Sequence, residues 1–322
     1  MNIAMNYLPQ KGGLWDHWVY REKNGLYHLY YLYDERENHS STKPAWLVGH
    51  ATSRDLSVWT EHSPALRPAP EKGLHAIATG SVIEFGERYA MLVTDHAHGI
   101  CLAWSDDLYT WEAADGNPVL PITDERYENR ETIASNPPGC GAWADPYLFR
   151  KPGSDDVFLI LNTRLREGDI LSRGCVALFR SADMVHWKSL GPLLVPGISK
   201  RCETPQIFTK NGRWYLICSI ANELLTDEFR QTNGVECINA AAFVWTADRF
   251  EGPYELRGKW KMLEDKDCYI CKVIEAPEGG DVVLSINCHA VGYPPRHGET
   301  GITRPFQVTY PLSGGIGVET DV

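Results

Sequence analysis

Three short stretches each set one carboxylate among aromatic or apolar residues directly before a strand-like run. They are Asp16 in Leu14-Trp-Asp-His-Trp-Val-Tyr20, Asp145 in Trp143-Ala-Asp-Pro-Tyr-Leu-Phe149, and Glu203 in Arg201-Cys-Glu-Thr-Pro-Gln-Ile-Phe208. A lone acid at a strand end is ordinarily a turn former. Three acids facing one pocket repel one another, and that repulsion raises one pKa enough to keep a carboxyl protonated as a general acid. Glycoside cleavage needs this division of labour: one carboxylic acid to protonate the leaving oxygen, one carboxylate as nucleophile or base, and negative charge beside an oxocarbenium-like transition state.

The elements that must position these acids are visible as a repeat. Ser53-Arg-Asp55-Leu-Ser-Val-Trp59, Ser105-Asp-Asp107-Leu-Tyr-Thr-Trp111 and Ser181-Ala-Asp183-Met-Val-His-Trp187 share one phrase, with a decayed copy at Thr246-Ala-Asp248-Arg-Phe250. The copies recur roughly every 50 to 75 residues, a period suited to propeller blades. In each phrase the Asp is expected to close a turn and the Trp to cover the blade edge. Short alternating apolar runs lie between the phrases, and Lys23-Asn24-Gly25 and Lys210-Asn211-Gly212 supply the φ > 0 residues that tight hairpins require. The expected fold is all-β: one domain over residues 1–322, a five-bladed β-propeller with four-stranded antiparallel blades around a central funnel. Inner strands line the axis of such a fold, so Asp16, Asp145 and Glu203, heading the inner strands of blades one, three and four, should converge. Ile122 to Gly141 and Asn222 to Glu236 are expected to be loops at the mouth.

Composition excludes several partners. With 31 Lys and Arg against 42 Asp and Glu, the net charge is -11, which suits neither a nucleic-acid backbone nor an anionic membrane. No basic segment followed by an apolar stretch opens the chain, and no apolar run reaches membrane-spanning length, so a cytoplasmic protein is expected. The nine cysteines are odd in number and sit mostly in apolar runs, as reduced buried thiols do. Cys268-Tyr-Ile-Cys271 has no second pair to complete a zinc site. No cofactor and no metal are expected, because His96, His98 and His289 lack a ligand spacing.

The acids and their surroundings resemble the five-bladed propeller glycosidases of families 32, 43 and 68, family 32 most. The resembling phrases are Gly49-His-Ala-Thr-Ser-Arg-Asp-Leu-Ser-Val-Trp59, Thr79-Gly-Ser-Val82, Leu102-Ala-Trp-Ser-Asp-Asp107 and Gly116-Asn-Pro-Val-Leu120. The resemblance implies Asp16 as nucleophile, Asp145 as transition-state stabiliser and Glu203 as acid/base. Trp15 stands where that family carries Asn, His17-Trp18 where it carries Pro-Asn, and Ala144 where it carries Arg; no C-terminal β-sandwich of the kind usual in the family is expected. Expected substrate contacts are Trp15, Trp18 and Trp143, whose faces suit sugar rings, with His17, Ser81, His98, Arg164 and His289. The expected activity is release of a terminal sugar, a furanoside, from a small oligosaccharide or glycoside by a retaining mechanism. An inverting family-43-like arabinofuranosidase or xylosidase, a non-catalytic sugar-binding propeller and a transferase on the same fold stay open.

Overall fold

A computed structural model describes residues 5–35, 46–128, 143–233, 240–262, 268–287 and 300–319. Strand β1 (Met5–Tyr7) precedes the first blade, which is β2 (Gly13–Arg21), β3 (Tyr27–Asp34), β4 (Leu47–Ser53) and β5 (Thr60–Leu66). The second holds β6 (Ala78–Phe85), β7 (Arg88–Asp95) and β8 (Gly99–Ser105), edged by the short β9 (Glu112–Ala113) and β10 (Leu120–Pro121). Blade three is β11 (Trp143–Arg150), β12 (Val157–Arg164), β13 (Gly174–Ser181) and β14 (Lys188–Leu194). Blade four is β15 (Glu203–Lys210), β16 (Arg213–Ala221), β17 (Ala240–Ala247) and β18 (Glu255–Met262). The fifth comprises β19 (Cys268–Glu275), β20 (Asp281–Asn287), β21 (Gly301–Thr303), β22 (Phe306–Thr309) and β23 (Gly317–Glu319), and β1 pairs with β21 to complete it. The fold is the expected five-bladed propeller. Within Asn222 to Glu236, expected to be loop, the structure forms a 3-10 turn and a short helix, α1 (Asp227–Asn233), which buries no residue.

In its three full copies the repeated phrase is a turn with the same Ser and Asp bonds. The hydroxyls of Ser53, Ser105 and Ser181 accept the amides of Leu56, Leu108 and Met184 at 2.9 Å. Those three residues are buried and adopt φ of 62°, 67° and 67°, a conformation that needs such local support in a residue with a side chain. Asp55, Asp107 and Asp183 each cap two further amides at 2.7–2.9 Å. The Trp111 and Trp187 indoles then donate back to the Leu108 and Met184 carbonyls. The turn therefore seats the tryptophan against its own blade.

Apolar side chains collect in five clusters, one in each seam between neighbouring blades. Both faces of most strands are buried, so β3 and β12 read as continuous apolar runs. Inner strands β2, β6, β11, β15 and β19 pack in succession around the axis. Each carries one extra residue near its head: the register slips between Leu14 and His17, Ala78 and Gly80, Ala144 and Tyr147, Glu203 and Gln206, and Tyr269 and Lys272. Such bulges re-aim side chains. They also admit Pro146 and Pro205 inside strands, where a ladder position would not.

Candidate active site

The bulges surround a cavity of about 300 Å³ at one end of the axis. Asp16, Asp145 and Glu203 all line it, with Trp15, Thr79, His96, Asn162, Arg201 and Tyr269. The acids occupy staggered rather than equivalent places: Glu203 opens its bulge, Asp145 follows the opening residue of its own at φ 59°, and Asp16 lies one residue further along.

Each carboxylate has its own holders. Asp16 accepts the Thr79 hydroxyl from blade two. Burial and then the neighbouring Asp145 push its carboxyl well above the usual range. Asp145 accepts the Asn162 side-chain amide at 3.3 Å and the Thr204 backbone amide at 2.9 Å, while its own amide donates to the Thr94 hydroxyl at 3.0 Å. Asn162 also accepts the Cys202 amide at 3.2 Å, so one side chain braces both Asp145 and the approach to Glu203. Glu203 lies between Arg201, donating to Oε1 at 3.0 Å, and the Tyr269 hydroxyl, donating to Oε2. Burial raises the Glu203 carboxyl despite the Arg201 charge, and Asp145 adds to the rise. His96 stands in the cavity wall, and its surroundings lower its pKa mainly by desolvation.

Of the seven expected substrate contacts among the described residues, only Trp15 lines the cavity; it packs 6.3 Å from the Tyr269 ring. Trp18 is buried in the seam of blades one and two, stacked on Tyr30. Trp143 is buried in the next seam with its indole on the Leu120 carbonyl. The Ser81 hydroxyl accepts the Leu148 amide and joins blades two and three. His98 is bound to Asp95 at 2.9 Å and packs with its ring tilted against His75, outside the cavity. Arg164 is buried against Glu128 at 2.6 Å. His17 lies beneath the acids, fully buried. His289 is outside the described residues. Thr79, Arg201 and Tyr269 were not anticipated, although Thr79 and Tyr269 stand at the heads of the two inner strands that lack an acid. Among the described residues no cluster of His, Cys, Asp and Glu has the geometry of a metal site, and no helix is long and apolar enough to cross a membrane. Six cysteines in that set are buried free thiols, Cys268 and Cys271 included.

Fold and cavity together define a five-bladed propeller with an acid-lined axial site. The chain belongs to glycosyl hydrolase family 32, for residues 9–285 match the Glycosyl hydrolases family 32 N-terminal domain. Sucrose-6-phosphate hydrolase of Klebsiella pneumoniae is 27% identical over 241 residues, which is 70% of this chain and 45% of that protein. The Salmonella typhimurium protein of the same name is 28% identical over 264 residues, 76% of this chain and 49% of the relative. The chain therefore spans about half the length of the curated relatives it matches. Sucrose-6-phosphate hydrolase of Lactobacillus gasseri superposes with a TM-score of 0.75 at 18% identity, covering 98% of this chain and 63% of that one. A Bacillus subtilis levansucrase superposes equally, at 0.75 and 13% identity, over 99% of this chain and 88% of the other.

Proposed function

We propose that this protein is a β-fructofuranosidase-like glycoside hydrolase that releases a terminal furanosyl unit from a small oligosaccharide. The observation that carries the reading is the convergence of Asp16, Asp145 and Glu203 on one cavity. Asp16 in its ionised form attacks the anomeric carbon and forms a glycosyl-enzyme, so its raised carboxyl sets the acid limb of activity above the usual carboxylate range, while Glu203 gives its proton to the leaving oxygen and later takes one from the incoming water. The raised Glu203 carboxyl suits a group that must arrive protonated. Asp145, fixed by Asn162 and Thr204, faces the charge that grows on the ring. Trp15 supplies an apolar wall for the sugar. The relatives' names make sucrose and sucrose 6-phosphate the first substrates to try. Family membership favours a fructoside over an arabinoside. A cytoplasmic location is part of the same proposal, consistent with the buried free thiols.

The test is turnover of sucrose, sucrose 6-phosphate and nitrophenyl furanosides by the purified protein, with NMR of the first-formed anomer. Retention is expected. Glu203→Gln should stop cleavage of substrates with poor leaving groups while sparing the first step on activated ones, with azide restoring turnover of the latter; Asp16→Asn should remove both. A first product of inverted configuration would make Asp16 a general base instead.

A further inference from the structure

Directly below the acids, the five bulges hand over to the regular strands, and the residues at that level are His17, Gly80, Tyr147, Gln206 and Lys272. Lys272 is only 4% exposed. A lysine so placed is expensive unless something nearby uses its charge. Its ammonium donates to the Thr204 carbonyl at 2.8 Å and lies 5.8 Å from the centre of the Tyr147 ring. It forms an ion pair with no described carboxylate, yet it interacts electrostatically with both Asp145 and Asp16 above it.

Thr204 is the point where this lysine meets the site. It is β-branched and held at φ 46°, a strained conformation costing on the order of 1–3 kcal/mol that must be fixed by its surroundings. Its amide donates to Asp145 Oδ2 at 2.9 Å, and its carbonyl takes the Lys272 ammonium. The residue therefore hangs between an acid of the cavity and a cation of the floor. We propose that Lys272 is a positioning residue of the acid cluster: it locks the Thr204 bulge that holds Asp145 and supplies, from below, the positive charge that balances Asp16 and Asp145.

Among the described residues the acid cluster holds one other cation, Arg201, which pairs with Glu203, and the remaining titratable groups around Lys272 are acids or neutral. Asp16 and His17 face it from β2, Asp145 and Tyr147 from β11, Cys218 from β16, Cys271 from its own strand, and Glu203 completes the cluster above. His17 is pushed down to about 3, first by burial and then by Lys272, so it is neutral at pH 7. Burial raises the Cys218, Cys271 and Tyr147 groups, which keeps them neutral as well. Of these groups, only the acids answer the ammonium.

The proposal rests on the hydrolase reading, so its test has one arm with turnover and one without. In the first, Lys272→Met is compared with the native protein in the pH dependence of kcat/KM on an activated furanoside. Loss of the cation should move the acid limb up by about one pH unit and lower kcat at least tenfold with little change in KM. A lysine that merely filled space would lower activity and leave both limbs in place, and that result overturns the proposal. The second arm needs neither substrate nor folding of the lysine variant. Lysines labelled with 13C at Cε are titrated by NMR in the native protein and in Asp16→Asn. One lysine should titrate near 8, well below the ordinary value, because burial opposes its charge. Removing the Asp16 charge should shift that midpoint further down. A native protein in which no lysine titrates low, or in which the low midpoint ignores Asp16→Asn, refutes the coupling even if fructosides are cleaved. Coupling seen in a protein that cleaves none of them would leave this proposal standing and remove only the assigned substrate.

Discussion

Tyr269 and Glu203 show what a single hydrogen bond does at this site. The phenol donates to one carboxylate oxygen and so favours the charged form of an acid that must be protonated to work. Tyr269→Phe should therefore move the basic limb of the kcat/KM profile to higher pH while lowering kcat roughly tenfold, because the carboxyl loses its orientation. An unmoved basic limb would show that the phenol is only a wall. Residues of this kind were hard to read from sequence. An acid among aromatics draws notice because it is costly there, and Asp16, Asp145 and Glu203 were legible for that reason. Thr79 and Tyr269 are ordinary strand formers, and only their hydroxyl partners betray them. Trp18 and Trp143 misled in the opposite sense: both stand close to an acid in sequence, but the bulge turns the acid to the axis and leaves the indole in the seam.

At the scale of the element, the repeated turn is the part of the fold most plainly written in the chain. Ser and Asp recur because each satisfies specific backbone amides around a residue at positive φ. Asp107→Ala leaves the Tyr109 and Thr110 amides without their acceptor and should cost about 1–2 kcal/mol in denaturant unfolding. Asp248→Ala in the decayed copy removes an exposed carboxylate whose ion-pair contact, with Arg213, is 3.6 Å long, and should stay within about 0.5 kcal/mol. Equal losses at the two sites would mean that the phrase is not what supports the turn. Middle strands were legible because both faces are buried and the apolar runs are unbroken, whereas β2, the inner strand of blade one, is half-buried in part and was not counted among that blade's strands. Outer strands β5 and β14 mix exposed, half-buried and buried positions with much polar content, and they were not foreseen. Helix α1 escaped for a similar reason, since with nothing buried it carries no apolar stripe.

The whole ring is closed by non-local contacts that no local pattern announces. β1 joins β21 across nearly the full chain, and the Tyr7 and Tyr31 hydroxyls meet at 2.7 Å in the seam of blades five and one. Closure forces groups into the interior, and the most acid-sensitive lie in blade one. His28 and His50 are fully buried with their rings stacked 5.1 Å apart and joined at 3.0 Å, His62 lies beside His50, and Tyr109 covers all three edge-on. Burial pushes His50 down to about 3, with His28 and His62 adding to the fall. A histidine depressed in the folded state takes up its proton first in the unfolded chain, so its contribution is intact above about pH 6.5 and declines as pH falls toward the folded value. The limiting slope is roughly 1.4 kcal/mol per pH unit for one such group. Asp16 works in the opposite direction: its folded pKa is raised to about 8, so the stability it forfeits above that value is recovered as the pH falls from there toward the ordinary carboxylate value. The native profile is a sum of both, and the informative quantity is a difference. His50→Phe preserves the stack while removing one depressed group, so the variant should be less stable than the native protein at pH 7.5 and close the gap by roughly 2 kcal/mol by pH 5 in urea unfolding. A gap that stays constant across that range would mean His50 does not titrate with unfolding, and the acid sensitivity of the ring would then have to lie elsewhere, with His17 at the channel floor the next group to remove.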